Sequence, residues 1–389
     1  MIGNASRPPW FTEEHRLYQE ATRAFFATEL APHLERFRAQ GVVDRELWRA
    51  AGQAGLLGAT IPEEHGGAGA PLSFDAVALY EQTRTGDMSW GFAIQSIVTH
   101  YILAYGTEAQ RGRWLPRLAT GELVAALAMT EPGTGSDVQS IRTTARPEAD
   151  AYVVNGSKTF ITNGQLANLI CVAAKTDPDA PGSRGISLVM VETDEASGFQ
   201  RGRNLPKMGL KGADTSELFF EDVRIPKDNL LGDQPGRGFA QLMTQLPWER
   251  LIIGIMGVGA AEHALNETLV YTQERKAFGK RVFDFQNTRF KLAEAKTKLE
   301  VTRSFVNDCI GRVDEGTLDA ATASMAKYWA TEVQCQIVDE CLQLFGGYGY
   351  MAEYPIAHAF ADARVQKIYG GTSEIMKELI ARSLDGAGR

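Results

Sequence analysis

The chain has 389 residues, 44% of them hydrophobic, and a formal net charge of −8. That length and apolar content suffice for large cores and two or three domains. A negative balance of interspersed charges, with no basic block, argues against nucleic acid as a partner. Four cysteines (Cys171, Cys309, Cys335, Cys341) form no CxxC pair and the six histidines are scattered, so no metal site is expected. The thiols read as reduced and mostly buried. Met1 to Ser6 lacks both the start of a secretion signal and the Arg-rich stretch of a transit peptide. No segment has the apolar run of a membrane span, and the expected location is cytoplasmic.

The first third reads as helical. Thr12 is placed to cap a helix with Leu17, Ala21, Ala24 and Phe25 on one face. Asp44 is placed to cap the next, with Leu47, Trp48 and Ala51 at helical spacing. Glycines 55, 58, 66, 67 and 69 mark a loop. Ser73 starts another apolar-periodic stretch, and Thr107 opens a helix towards Leu118.

Near Gly121 the pattern changes to short β-rich runs between Gly, Asn, Asp and Pro turns. Leu123 to Ala128 reads as a strand. Ala151 to Asn155 and Lys158 to Thr162 read as a hairpin around an Asn155-Gly156 turn. Leu169 to Ala174, Ile186 to Val191 and Glu217 to Val223 are further strands. Several strands without intervening helices predict an antiparallel barrel or sandwich. After Gly236 the helical period returns, through Leu251, Ile255, Val258, Leu265 and Leu269, then from Leu318 to Leu344 with Gly346-Gly347 as the stop. Gly257-Val258-Gly259 imitates a dinucleotide fingerprint, but it lies inside a helical pattern with no strand before it, so its small residues read as helix packing.

Met129-Thr130-Glu131-Pro132-Gly133-Thr134-Gly135-Ser136-Asp137 is a turn of small residues and free amides, suited to a flat polar ring or a phosphate. Phe160-Ile161-Thr162 offers an apolar lid. Arg275, in Arg275-Lys276-Ala277-Phe278-Gly279, carries a fork that matches two phosphate oxygens. Gln343 to Tyr350 contains the glycines that close approach to a phosphate requires. Glu249, in Leu246-Pro247-Trp248-Glu249-Arg250, would alone read as a cap or surface ion pair at a helix start.

Together these strings, with Ile368-Tyr369-Gly370-Gly371-Thr372-Ser373-Glu374-Ile375, resemble the acyl-CoA dehydrogenases, over nearly the whole chain. The resemblance implies an α+β multidomain fold: an α-helical N-terminal domain (1–122), a central antiparallel β domain (123–235) and a C-terminal four-helix bundle (236–389). It implies FAD as cofactor, contacted by Leu127, Met129, Thr130, Gly135, Ser136, Phe160, Ile161, Thr162, Arg275, Phe278, Gln286, Gln343, Gly346, Gly347, Thr372 and Glu374. The Gln343 segment would reach FAD from a neighbouring subunit. Substrate contacts fall on Ser136, Arg250, Gly370 and Gly371.

Many relatives carry the catalytic glutamate where this chain has Gly370. A glycine takes no proton, so the base is assigned to Glu249, as in the long-chain and isovaleryl type. The implied reaction is α,β-dehydrogenation of a fatty or branched acyl-CoA to the trans-2-enoyl-CoA, with hydride passing to flavin N5. A homotetramer built from dimers and an electron-transferring flavoprotein as acceptor are implied too. Alternatives are a fold-related flavin oxidase or monooxygenase, a dehydrogenase of carrier-protein-bound acyl groups, and a non-catalytic flavoprotein scaffold.

Overall fold

The computed structural model describes residues 7–385. Six helices lead: α1 (Glu13–Phe25), α2 (Leu34–Gln40), α3 (Arg45–Gln53), α4 (Leu72–Thr83), α5 (Phe92–Tyr105) and α6 (Glu108–Ala119). The apolar spacing in α3 does bury Leu47, Trp48 and Ala51, and Thr107 caps α6 through the Gln110 N–H. Two local expectations are corrected. In α1 the buried face is His15, Gln19 and Thr22, while Leu17 is 54% exposed. Polar partners make that face: His15 meets the Ser73 hydroxyl at 2.8 Å, and Gln19 donates to Glu81 at 2.6 Å. Asp44 precedes α3 but caps nothing, because its carboxylate engages Gln40 and Arg36. The stretch expected from Ser73 is α4, which begins one residue earlier at Leu72, and the Ser73 N–H is taken by Asp314 at 3.0 Å.

Seven strands follow: β1 (Ala125–Ala128), β2 (Thr144–Pro147), β3 (Ala151–Thr162), β4 (Leu169–Lys175), β5 (Ile186–Glu192), β6 (Phe199–Asn204) and β7 (Thr215–Pro226). They form one sheet in the order β1-β4-β2-β3-β7-β6, with β5 also on β4. The sheet is mixed instead of purely antiparallel, since β1 and β2 both pair with β4 in parallel. The expected Asn155-Gly156 hairpin is absent. β3 runs straight through it because β7 pairs along both halves, and the irregularity is absorbed as a bulge at Gly156, φ 147°. A β-carbon there would meet Thr143 Oγ1 at 2.5 Å.

β4 is buried on both faces, which is why it reads as an unbroken apolar run. Leu169, Cys171 and Ala173 join the core shared with the helices, and Ile170, Val172 and Ala174 join a second core on the other face.

The chain then forms α7 (Gly238–Glu274), a short hairpin of β8 (Lys276–Ala277) and β9 (Lys280–Arg281), then α8 (Gln286–Asp314), α9 (Ala320–Phe345), α10 (Pro355–Ala363) and α11 (Ser373–Leu384). α7, α8, α9 and α11 form the bundle, and the short α10 crosses α9. The small residues of α7 serve packing. A β-carbon on Gly257 would touch the Ala330 carbonyl of α9 at 3.4 Å, and one on Gly259 would collide with Thr83 of α4 at 2.1 Å. Among the described residues no helix is long and apolar enough to cross a membrane.

Candidate active site

Glu249 lies well inside α7, not at a helix start, because α7 continues through Pro247. Nor is it a surface charge. Glu249 and its neighbour Arg250 are only 6% and 5% exposed. Tyr101 of α5 donates its hydroxyl to Glu249 Oε1 at 2.6 Å, and Oε2 has no protein donor among the described residues. Burial pushes the Glu249 carboxyl up to about 7, against the opposing pull of the Tyr101 hydrogen bond and the Arg250 charge. Arg250 Nη1 reaches Ser324 Oγ of α9 at 3.3 Å, while its buried Nε has no hydrogen-bond partner among the described residues.

The Gly370-Gly371 loop abuts the same face of α7. A β-carbon on Gly370 would come within 2.2 Å of Ile253 Cδ1, and Ile253 is one turn beyond Glu249. Both glycines have positive φ, 62° and 94°. From α9, Lys327 donates Nζ to the Gly371 carbonyl at 2.6 Å. Thr372 spends its hydroxyl as the cap of α11, on the Ile375 N–H, and Glu374 is exposed on that helix's first turn.

The 129–137 segment is tied to β3 by a buried ion pair, Lys158 Nζ to Glu131 Oε1 at 2.9 Å. Lys158 also donates to the Met129 carbonyl, and the Thr159 N–H to the Thr130 carbonyl, both at 2.9 Å. Glu131 accepts the backbone N–H groups of Arg142 and Thr143 as well. Burial works against its charge, but Lys158 and these donors outweigh it and hold the carboxyl below its ordinary value. Beyond this anchor Gly135 and Ser136 are exposed, and a β-carbon on Gly133 or Gly135 would meet open space.

Phe160 is held outward, 67% exposed, at φ 60°. The Ile161 side chain points into the second core, so only its backbone can face a ligand on the Phe160 side. Thr162, Leu127, Met129 and Thr130 are half-buried. α5 connects these parts: Gln95 accepts the Ala125 N–H of β1 at 2.8 Å, and Tyr101 on the same helix reaches Glu249.

Arg275 closes α7, 26 residues past Glu249, or about 39 Å at 1.5 Å per residue. It lines an open cavity of ≈ 560 Å³ with Gln343, Gly346, Gly347 and Tyr348, and its guanidinium stands 5.4 Å over the Tyr348 ring. Gly346, φ 61°, and Gly347 leave open space where a β-carbon would be. Phe278 on the β8–β9 turn is 95% exposed, and Gln286 at the start of α8 is exposed. A guanidinium, a carboxamide and bare glycine backbone are a donor set that fits a diphosphate. The open 133–136 turn and the outward ring of Phe160 are groups that suit a flat ring. Among the described residues no group of three His, Cys, Asp or Glu could hold a metal.

Family models match throughout: the acyl-CoA dehydrogenase N-terminal domain over residues 12–122, the middle domain over 126–223 and the C-terminal domain over 236–384. The long-chain specific acyl-CoA dehydrogenase of Mus musculus mitochondria is 49% identical, over 96% of this chain and 87% of its own. An acyl-CoA dehydrogenase crystal structure from Geobacillus kaustophilus is 45% identical, with a TM-score of 0.94, covering 97% of this chain and 100% of that one. A glutaryl-CoA dehydrogenase from Mycobacterium smegmatis, solved with FADH2, is 30% identical with a TM-score of 0.89, covering 96% and 95%. The chain belongs to the acyl-CoA dehydrogenase family, FAD-dependent oxidoreductases that act on the CH–CH bond of acyl-CoA thioesters.

Tyr101, Lys158 and Lys327 were not singled out from the sequence. Tyr101 sits in an apolar helical run with no motif around it. Lys158 lies in the expected strand from Lys158 to Thr162 and Lys327 in the helical run from Leu318 to Leu344, but nothing in either marks a lysine as buried.

Proposed function

We propose that Glu249 is the base of this acyl-CoA dehydrogenation and takes the α-proton on its free oxygen, Oε2. The observation that carries the reading is a buried carboxylate with one open oxygen, one turn along α7 from the point where the glycine loop abuts. The two places that the family uses for its glutamate thus converge on one face of one helix. Burial lifts the carboxyl towards neutrality, which matches it to a weakly acidic C–H. The Gly370 N–H remains available to stabilise negative charge at the thioester oxygen, since the missing side chain does not remove the amide. The buried Arg250 adds positive charge beside that site.

FAD, held by the 127–136 segment, Phe160 and the backbone of Ile161 and Thr162, supplies the hydride acceptor when bound. Arg275, Gln343, Gly346 and Gly347 serve the diphosphate of a cofactor bound mainly by a second subunit. The 39 Å of helix between Arg275 and Glu249 is too long for one dinucleotide to reach both within a chain. Exposed Val270, Phe278, Phe290 and Val301 support assembly through the C-terminal helices into a homotetramer. The likeness to the mouse long-chain enzyme supports a long or branched acyl group. A structural neighbour from work on the electron transferring flavoprotein of Acidaminococcus fermentans, 35% identical with a TM-score of 0.91, supports such a flavoprotein as acceptor.

The test is anaerobic single-turnover bleaching of Glu249→Gln by an acyl-CoA. A positioned base contributes about 10²–10⁴-fold, so bleaching should slow by that range with FAD content unchanged. Bleaching near the wild-type rate would remove Glu249 from the chemistry.

A further inference from the structure

Among the described residues, the hydroxyl of Tyr101 is the one side-chain group that hydrogen-bonds to Glu249. Tyr101 has no solvent exposure, and a buried phenol requires a partner. Its neighbour Tyr105, with ring centroids 6.1 Å apart, spends its hydroxyl elsewhere, on the Gln241 carbonyl at 3.2 Å. Three titratable or charged groups face the Glu249 carboxylate: Tyr101 from α5, Cys171 from β4 and Arg250 from α7 itself. Burial and the charge of Glu249 push the Cys171 thiol up to about 12, so it stays neutral. Burial, with Glu249 beside it, raises the Tyr101 phenol well above its ordinary value, so it remains a donor across the working pH range.

We propose that Tyr101 is the positioning residue of the base. Its hydroxyl pins one oxygen of Glu249, leaves the other to face substrate, and sets the pH at which the carboxylate is available. This rests on the reading of Glu249 as the base. The physical reason is direct: a donor to a carboxylate stabilises the anion and not the acid. Because α5 also holds β1 through Gln95, the same helix positions the base relative to the strand that leads into the 129–137 turn.

The test uses the FAD-bound enzyme. The carboxylic-acid C=O band that Glu249→Gln abolishes identifies the group in infrared difference spectra, and its pH titration gives a midpoint without turnover. Tyr101→Phe should raise that midpoint by about 1–2 pH units, the displacement expected from losing a buried hydrogen bond to a charge. Single-turnover bleaching should then fall about tenfold or more below the wild-type midpoint and recover at alkaline pH. Site-specific 3-fluorotyrosine at position 101 keeps the shape and makes the phenol more acidic, so it should move the midpoint down. It carries the test alone if the phenylalanine variant does not retain FAD. Midpoints that overlie the wild type, or a rate loss equal at every pH, overturn the proposal. The base assignment fails separately, by Glu249→Gln bleaching at the wild-type rate.

Discussion

Lys327 holds Gly371: a lysine with no solvent exposure, on α9, donates a 2.6 Å hydrogen bond to the backbone carbonyl of the glycine loop. Burial and the nearby Arg250 charge press the ammonium down to about 8, still charged at neutral pH. Lys327→Met keeps the volume and removes the donor. The protein should lose about 1–2 kcal/mol of stability, and amide exchange across residues 368–376 should accelerate in the mass spectrum. Unchanged exchange there would mean that the loop is held by its own turns.

Glu249 also links stability to pH. Its ordinary value is 4.5 and its folded value about 7, so the folded protein holds the proton more tightly. Its contribution is therefore complete below about 4.5 and is lost as pH rises through 7. Asp214 and Asp362, both pushed up to about 6 by burial, act in the same direction from 3.8 upwards. Relative to wild type, Glu249→Gln should gain stability between pH 5 and pH 8, on the order of 3 kcal/mol at most. Unfolding curves of the FAD-bound pair at the two pH values decide it; a constant difference contradicts the assignment.

Arg275→Ala should weaken FAD binding by about 10–100-fold, the range for a hydrogen bond to a charged group. It should also lower the stability of the dimer or tetramer, because ligand binding and assembly are linked. Flavin content and sedimentation are read on the same sample. Full FAD retention in a stable monomer would separate the two.

Gly370→Glu forces a side chain onto a backbone at φ 62°, with its β-carbon 2.2 Å from Ile253 Cδ1. A cost of about 1–3 kcal/mol follows from the strain alone, and a second carboxylate beside Glu249 raises the pKa of both. Activity should fall most for the longest and bulkiest acyl groups, and adding Ile253→Ala should recover part of the stability. Equal loss across all chain lengths would count against the steric cause.

Much of this fold is legible in the sequence. Trp48 with Leu47 and Ala51, the two-faced apolar run of β4, and the small residues of α7 each declare their packing by spacing alone. What failed did so because distant partners decide it. The polar face of α1 is buried only because Ser73 and Glu81 arrive from α4. Asn155-Gly156 has turn chemistry, but β7 is long enough to pair on both sides of it. Pro247 looks like a helix boundary until α7 is seen to continue, which places Glu249 in the interior. The 129–137 string and Glu249 could be named through the family resemblance and the glycine at position 370, whereas Tyr101 and Lys327 matter through single contacts 148 and 44 residues away in the chain.

The contact between Gly370 and Ile253 makes the loop and α7 depend on each other in size. A side chain at position 370 is admitted only as far as the Ile253 methyl, the far end of a flexible chain, turns aside, and the backbone at φ 62° disfavours it in any case. If Glu249 is the base, the room that a loop carboxylate would need is taken up by the same helix that carries that base.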